Sequence, residues 1–331
     1  MEPLNVLVND QIVEDTVPRI EAVDARINVT HVGAALTAEL GGDERARRLM
    51  DQLLASVDVY AGMRIPPRLL QRAPHLKWLQ VTQAGVDKIL LDEEFRKSRV
   101  MLSNVADIHS FAPAEFAIQA CLTFAKDPIE CDRQKNAREW KPFHPGVLRG
   151  KTMGLVGYGN IGRRVARVAK AFEMWVIAAR RSVSRASGSR WADVVLPIGQ
   201  LDRLLADSDF VVVSTPLTAE TYHQIGEHEF ETMKRDAFLV NVGRGPVVDE
   251  RALARALREG LIAGAALDVF EVEPLPAESP LWDLPNLLYS PHIAGYIAAY
   301  AGMVQDLFVQ NLERYVQGKP PVGLIQKKRG Y

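Results

Sequence analysis

The sequence predicts an α/β protein built from two doubly wound domains with a cleft between them. Three observations support this prediction. Short apolar strand patterns alternate with helical patterns along the whole chain, which is typical of parallel sheets. A glycine-rich turn joins a strand to a helix near the middle of the chain. The last helical pattern favours a helix that packs back on the first domain. We expect one domain at residues 1–107 and 292–331 and the other at residues 108–291.

The predicted strands are short, apolar and separated by polar or helical segments. They are Leu4–Val8, Ile27–His31, Val57–Tyr60, Leu76–Val81, Thr152–Val156, Trp175–Ala179, Phe210–Ser214, Ala237–Val242, Ala263–Val269 and Leu287–Ser290. The helical patterns are Ala46–Leu54, Ala112–Ala125, Arg163–Phe172 and a final helix with apolar positions from Val304 to Val316, which we expect Gly318 to cap.

Composition excludes several classes of protein. The formal net charge of −1 gives no indication of binding to nucleic acid or to an anionic membrane. The apolar runs are too short to span a bilayer, and no signal peptide is visible. Cys121 and Cys131 lack metal-ligand spacing, so we expect reduced thiols, no metal site and a cytoplasmic protein.

The segment Gly154–Gly162 is a strand end, a glycine turn and a helix start. Gly157 permits the tight turn, Gly159 lets the backbone approach a pyrophosphate, and Gly162 lets the helix pack closely on the strand. The helix N-terminus then offers N–H groups and a positive dipole end to the phosphates. We therefore predict a dinucleotide site that also includes Tyr158, Asn160 and Ile161.

The next strand indicates which dinucleotide binds. NAD sites usually carry an acidic residue at the end of this strand, and its carboxylate holds the ribose 2′-OH. Here no acid occurs between Met174 and Ala192, and Arg180, Arg181 and Ser182 stand at that position. Arginine supplies the charge and the donors that a 2′-phosphate needs. We predict a preference for NADP(H) over NAD(H); the alternative is a solvated basic loop.

Polar residues follow the later strands, where ligands bind in doubly wound sheets. Taken alone, each of three polar residues has a purely structural interpretation. Arg244 could form an ion pair in a loop, Glu273 could be a solvated charge, and His292 could cap the start of a helix. Their common position beyond strand ends, on the edge that carries the glycine turn, favours a functional site. The candidates on this edge are Thr215, Pro216, Val242, Gly243, Arg244, Asp268, Glu273 and His292.

Four ordered motifs carry a family resemblance that covers nearly the whole chain. They are residues 79–87, 241–250, 264–275 and 290–295. In these motifs the chain resembles the D-isomer-specific 2-hydroxyacid dehydrogenases. The resemblance implies a flavodoxin-like substrate domain, formed by the two terminal segments, and a Rossmann dinucleotide-binding domain. Arg180 stands where NAD-using members have an acid, which points to the NADPH-using branch similar to glyoxylate/hydroxypyruvate reductases.

The resemblance also implies a role for each candidate residue. Arg244 would hold the carboxylate and carbonyl oxygens of a 2-oxo acid, and backbone N–H groups at Ala84, Gly85 and Val86 would hold the other carboxylate oxygen. His292 would contact substrate and cofactor and donate the proton, with Glu273 orienting its imidazole and favouring its charged form. Asp268 would hold the nicotinamide carboxamide. Trp140 would reach the active site of the partner subunit in a homodimer.

The substrate is less well determined by the sequence. Glyoxylate or hydroxypyruvate is the first choice. Arg64 stands where some members with phosphorylated substrates have an arginine, although a surface role is the simpler interpretation. Enzymes of the 3-phosphoglycerate, phosphite or formate type are the rivals on this fold, and the formate type expects Gln where Glu273 stands. A dinucleotide-sensing corepressor is the rival from another class.

Overall fold

The computed structural model describes residues 2–108 and 110–328, which form two compact units. The first unit contains the chain up to residue 109 and again from residue 297, and the second contains residues 110–296. The two predicted chain crossings, after residues 107 and 291, lie two and five residues before the crossings in the structure.

Twelve strands are present in the described residues. They are β1 (Leu4–Val8), β2 (Ile27–His31), β3 (Val59–Gly62), β4 (Trp78–Val81), β5 (Met101–Ser103), β6 (Thr152–Val156), β7 (Trp175–Arg180), β8 (Val194–Pro197), β9 (Phe210–Val213), β10 (Phe238–Asn241), β11 (Gly264–Leu267) and β12 (Leu287–Tyr289). Sequence patterns missed β5 and β8, and they placed β3 two residues too early.

The helices of the described residues alternate with these strands. They are α1 (Val17–Glu21), α2 (Gly33–Leu40), α3 (Glu44–Leu54), α4 (Leu69–Arg72), α5 (Asp87–Leu90), α6 (Glu93–Lys97), α7 (Phe111–Lys126), α8 (Pro128–Ala137), α9 (Asn160–Ala171), α10 (Leu201–Asp207), α11 (Glu227–Thr232), α12 (Glu250–Glu259) and α13 (Tyr300–Val316). None of them, in the part of the chain described, is long and apolar enough to cross a membrane.

Both sheets are parallel, and their strand orders confirm the predicted fold class. The first sheet has the order β2-β1-β3-β4-β5, which is the flavodoxin-like order. The second has the order β12-β11-β10-β9-β6-β7-β8, the Rossmann order with one added edge strand. In the second sheet the order reverses between β6 and β9, where ligands of such sheets bind.

Burial on both faces explains why the central strands are apolar throughout. All four residues of β9 and all four of β10 are buried. On one face α7 packs against the second sheet, with the rings of Phe124 and Phe238 stacked at 4.4 Å. In the first unit α13 covers Trp78 of β4, whose ring lies 5.8 Å from Phe308 and 5.3 Å from Tyr315. The predicted packing of the last helix on the first domain is therefore present.

Local signals set the ends of several helices. The Asp43 carboxylate accepts from the N–H groups of Arg45 and Ala46 and so caps the start of α3. The Asp249 carboxylate caps α12 in the same way. Gly318, two residues after α13, has a φ of +68°, as expected for the glycine that terminates a helix.

Candidate active site

The glycine turn lies at the point where the second sheet reverses its strand order. Gly157 has a φ of +100°, a conformation that glycine adopts readily and other residues rarely do. A Cβ on Gly162 would collide with the carbonyl oxygen of Gly157, so α9 can pack this closely only because residue 162 is glycine. A Cβ on Gly159, the N-cap of α9, would meet open space. The turn thus has the shape and the open helix N-terminus that a pyrophosphate requires.

The other residues of this turn have different positions. The Tyr158 side chain is buried, and its hydroxyl lies 2.7 Å from that of Ser189, so only its backbone belongs to the turn. Asn160 and Ile161 form the first residues of α9. The Asn160 side chain accepts a hydrogen bond from Arg163 at 2.6 Å.

Arg180 is the last residue of β7, next to the glycine turn in the sheet, and its side chain is exposed. Arg181 and Ser182 follow it at the surface. The Thr218 hydroxyl, and to a smaller extent the charge of Arg181, hold the pKa of the Glu220 carboxyl below its usual range. Arg181 therefore acts electrostatically on the loop that follows β9, which begins with Thr215 and Pro216.

The loop that carries Arg244 is fixed on both sides. The buried Asn241 side chain accepts from the N–H of Gly243 at 3.0 Å and donates to the carbonyl of Arg244 at 3.1 Å. A Cβ on Gly245 would collide with the backbone of Phe270 and Glu271. The arginine loop therefore packs directly on the loop that precedes Glu273. This close approach sets the register of Arg244 relative to the acid.

Glu273 and His292 form a direct pair. The Glu273 Oε2 atom lies 2.7 Å from Nδ1 of His292, and the Glu273 Oε1 atom accepts the Phe270 N–H at 3.0 Å. Both carboxylate oxygens are therefore engaged, which fixes the orientation of the imidazole ring. The His292 side chain is 47% exposed, so the ring remains accessible.

Asp268 holds the loop on which His292 lies. His292 has a φ of +55°, a left-handed conformation that is strained for any residue other than glycine. The buried Asp268 Oδ1 atom accepts from the N–H groups of Ile293 and Ala294, both at 2.9 Å, and from the Ser290 hydroxyl at 2.8 Å. These three hydrogen bonds stabilise the strained loop. Sequence reasoning assigned Asp268 to the cofactor and missed this contact.

The carboxylates of Glu250 and Glu271 hold the loop that precedes Glu273. The backbone N–H of Glu271 donates to the Glu250 carboxylate at 2.6 Å, and the N–H of Glu250 donates to the Glu271 carboxylate at 3.0 Å. His223 Nε2 lies 3.1 Å from the same Glu271 oxygen. Partial burial, together with the charges of Glu271, Glu273 and Asp249, raises the pKa of Glu250. None of these supporting contacts is apparent from sequence spacing.

The remaining predicted site residues are divided between the two units. Ala84, Gly85 and Val86 belong to the first unit, in the loop between β4 and α5, where the Asn104 side chain donates to the Ala84 carbonyl at 2.5 Å. Thr215, Val242 and Gly243 are buried at the ends of β9 and β10. Trp140 follows α8 in an irregular segment and is 93% exposed.

The second unit matches a known family. The model of the D-isomer specific 2-hydroxyacid dehydrogenase, NAD binding domain, matches residues 118–294. The chain belongs to this family. The predicted class of enzyme, a D-2-hydroxyacid dehydrogenase that uses a nicotinamide dinucleotide, is thereby confirmed.

Relatives of this dehydrogenase support the same assignment over nearly its whole length. It is 37% identical over 298 residues to a glyoxylate reductase of Thermococcus gammatolerans, covering 86% of this chain and 87% of the relative. Among solved structures, a family member from Xanthobacter autotrophicus in complex with NADPH and MES has a TM-score of 0.82 at 29% identity, covering 98% and 99%. An NADPH-dependent glyoxylate/hydroxypyruvate reductase from Sinorhizobium meliloti, in complex with NADP and sulfate, has a TM-score of 0.81 at 26% identity, covering 99% and 100%.

Proposed function

We propose that this D-2-hydroxyacid dehydrogenase reduces a small 2-oxo acid, with glyoxylate and hydroxypyruvate as the first candidates, to the D-2-hydroxy acid. The observation that carries the proposal is the 2.7 Å pair of His292 and Glu273, one loop away from Arg244. The names of the relatives, which are glyoxylate reductases at 37% identity, support the choice of substrate.

His292 is the proton donor in this proposal. Reduction of a carbonyl needs a proton at the oxygen, and an imidazole can supply it near neutral pH. The carboxylate of Glu273 stabilises the charged imidazole and fixes its orientation through Nδ1, which leaves Nε2 available to the substrate oxygen. A donor held in this way needs no reorientation at the moment of reaction.

Arg244 is the proposed anchor of the substrate, and the backbone N–H groups of Ala84, Gly85 and Val86 are proposed to bind its carboxylate. A guanidinium has donors at the spacing that a carboxylate and the adjacent carbonyl oxygen require. The Asn241 contacts hold the backbone of the arginine loop, so that little freedom is lost when a substrate binds. Polarisation of the carbonyl by Arg244 makes the carbonyl carbon more electrophilic, while His292 supplies the proton to the oxygen.

The residues around the glycine turn fit a nicotinamide dinucleotide. The cofactor, when bound, supplies the hydride for the carbonyl carbon. The turn at Gly157–Gly162 would hold the pyrophosphate, and the ends of β9 and β10, at Thr215, Pro216, Val242 and Gly243, would line the path toward His292. Asp268, whose Oδ1 atom is engaged by the histidine loop, would use its other oxygen for the carboxamide.

We also propose that NADPH is preferred over NADH, with Arg180, Arg181 and Ser182 around the 2′-phosphate. Arg180 ends the strand beside the glycine turn and is exposed there. Loss of one charge-assisted hydrogen bond costs about 1.5–3 kcal/mol. Arg180→Asp should therefore lower kcat/KM for NADPH at least ten-fold while raising it for NADH. Arg235→Asp, an exposed change at the turn before β10, is the matched control. Equal or better efficiency of the parent enzyme with NADH would contradict the preference.

A substrate panel tests the proposed reaction. The purified chain is assayed with glyoxylate, hydroxypyruvate, pyruvate and 3-phosphohydroxypyruvate, each with NADPH and with NADH, and in the oxidative direction with phosphite and formate. We expect reduction of the small 2-oxo acids and a D-configured product from hydroxypyruvate. Oxidation of phosphite or formate without activity on any 2-oxo acid would contradict the proposal. Absence of turnover together with tight dinucleotide binding would favour a sensor.

Three further proposals rest on the sequence and on the family resemblance. A homodimer in which Trp140 contributes to the partner's active site is proposed from the family resemblance. A cytoplasmic location is proposed from the free thiols of Cys121 and Cys131. The first unit is proposed to bind the substrate and the second the dinucleotide.

A further inference from the structure

An ion pair on the carboxyl edge of the first sheet has no role in the proposed reaction. Asp10 follows β1 and Arg64 follows β3, the two adjacent strands between which the order of this sheet reverses. Ligands of doubly wound sheets bind at such a reversal point. Arg64 also stands where some family members with phosphorylated substrates have an arginine, so its role was an open question in the sequence analysis.

The guanidinium of Arg64 is held from two sides. Its Nε and Nη2 atoms lie 2.7 and 2.6 Å from Oδ1 of Asp10, and its Nη1 donates to the Thr37 hydroxyl at 2.8 Å. Asp10 is itself fixed, because its Oδ2 accepts from the N–H groups of Met63 and Arg64 at 3.2 and 2.9 Å. Its side chain is only 15% exposed. The charge of Arg64 is therefore balanced by Asp10, and its guanidinium N–H groups already have hydrogen-bond acceptors within the same unit.

The surroundings of the pair are acidic. A depression of about 480 Å³ beside it is lined by Asp10, Glu14, Asp15, His31 and Arg64. Three carboxylates and one guanidinium line this depression, so its charge disfavours the approach of a second anionic group. Asp10 also has a φ of +54°, a left-handed conformation that is uncommon outside glycine and that the two backbone contacts stabilise.

The pair is joined to the loop proposed to hold the substrate carboxylate. The Thr82 hydroxyl donates to the Gln11 side chain at 2.7 Å, and the Gln11 amide lies 4.0 Å from the sulfur of Met63. Gln11 adjoins Asp10, and Thr82 lies two residues before Ala84. The loops after β1, β3 and β4 thus form one continuous edge within this unit.

We propose that Asp10 is a specificity-determining residue, because it holds Arg64 in an ion pair and so prevents recognition of a second anionic group on the substrate. The inference rests on the proposed function and adds a substrate class to it: 2-oxo acids with small, uncharged tails. A phosphate or carboxylate tail would have to displace Asp10 from Arg64 and would meet Glu14 and Asp15. A hydrogen or hydroxymethyl tail meets neither obstacle.

Asp10→Asn tests this directly. The asparagine oxygen can still accept from the N–H groups of Met63 and Arg64, while its amide places donors toward the guanidinium and releases it. We measure kcat/KM for hydroxypyruvate and for its 3-phosphate, which differ only in the tail. In the variant the ratio of phosphorylated to unphosphorylated substrate should rise roughly ten-fold or more, the effect of one charge-assisted contact. The double variant Asp10→Asn/Arg64→Gln should return the ratio to that of the parent.

Each outcome separates this inference from the proposed function. A ratio that stays within two-fold in Asp10→Asn, with hydroxypyruvate still reduced, overturns the specificity role and leaves the proposed function intact. If no 2-oxo acid is reduced by the parent enzyme, both fail. Arg64→Gln in the parent gives a second test, which does not depend on the folding of Asp10→Asn. The ratio should not change, and a fall would show that Arg64 already serves an anionic tail.

Discussion

At the scale of single residues, the site depends on how a few polar atoms are held. Glu273 uses one carboxylate oxygen for the backbone and the other for His292, so its position and its charge have separable effects. The motifs predicted the identity of these residues and the likeness to a family. They did not predict the contacts of Asp268 with the histidine loop or of Arg64 with Asp10, because such partners lie 25 and 54 residues apart and depend on the folded loops.

Glu273→Gln should separate charge from position. Glutamine keeps a hydrogen bond to the imidazole but removes the negative charge beside it. The protonated imidazole is the proposed proton donor, so kcat for reduction should fall while the ring keeps its orientation. kcat and NADPH binding are measured for the parent, for Glu273→Gln and for Glu278→Gln, an exposed change in the same loop region. A kcat equal to that of the parent would show that the charge has no role.

At the scale of elements, most strands were predictable from the sequence and two were not. The strands β1, β2 and β6 have the predicted bounds; β1 and β6 are mostly apolar, and β2 alternates apolar and polar residues. The patterns missed β5 and β8; β5 pairs with β4 and β8 with β7, and this pairing defines them. The glycine turn was predictable because its backbone demands particular residues. The position of the Tyr158 side chain was not predictable, because it depends on a hydrogen bond with Ser189 that exists only in the folded chain.

Asp209 links two strands at the amino edge of the second sheet. Its carboxylate accepts the Thr152 N–H at 2.7 Å and lies 3.1 Å from the Lys234 amine. Partial burial raises the pKa of this carboxyl, but the Thr152 N–H and the charges of Lys234 and Lys151 outweigh it and leave the pKa below its usual value of 3.8. The stabilisation is therefore present above pH 3.8 and is lost as the pH falls through the lowered pKa.

Asp209→Asn should accordingly reduce the free energy of unfolding at pH 7 by about 1–3 kcal/mol, since it removes a charged partner from a largely buried group. Urea unfolding at pH 7 and at successively lower pH measures the effect. The difference from the parent should shrink below pH 3.8. Asp207→Asn, an exposed change two residues away, should alter stability by less than about 0.5 kcal/mol. An effect as large in Asp207→Asn as in Asp209→Asn would refute the role of the link.

At the scale of the whole molecule, the order of elements was predictable and the assembly was not. Strands and helices alternate along both sheets, as the sequence predicted. This was possible because parallel sheets alternate strands and helices in a fixed way. Assembly depends on exposed surface, and the segment around Trp140 carries exposed apolar side chains, including Ile129 and Val147.

We expect the protein to be a homodimer at micromolar concentration. Exposed apolar surface can mark a site that binds another chain, and Ile129, Trp140 and Val147 are each more than half exposed. Light scattering should give twice the chain mass of 36.8 kDa. Trp140→Ala should leave the far-ultraviolet circular dichroism unchanged and raise KM for the 2-oxo acid. A monomer across the micromolar range would contradict this prediction.

The central claim is that His292 provides the proton in the reduction of a 2-oxo acid, and His292→Ala tests it most directly. The comparison uses the parent, the variant and His228→Ala, an exposed histidine in α11. General acid–base assistance is typically worth about 10²–10⁴-fold, so kcat of His292→Ala should fall by that factor, with NADPH binding measured by fluorescence nearly retained and His228→Ala close to the parent. Near-normal turnover of His292→Ala on every 2-oxo acid that the parent reduces would contradict the account.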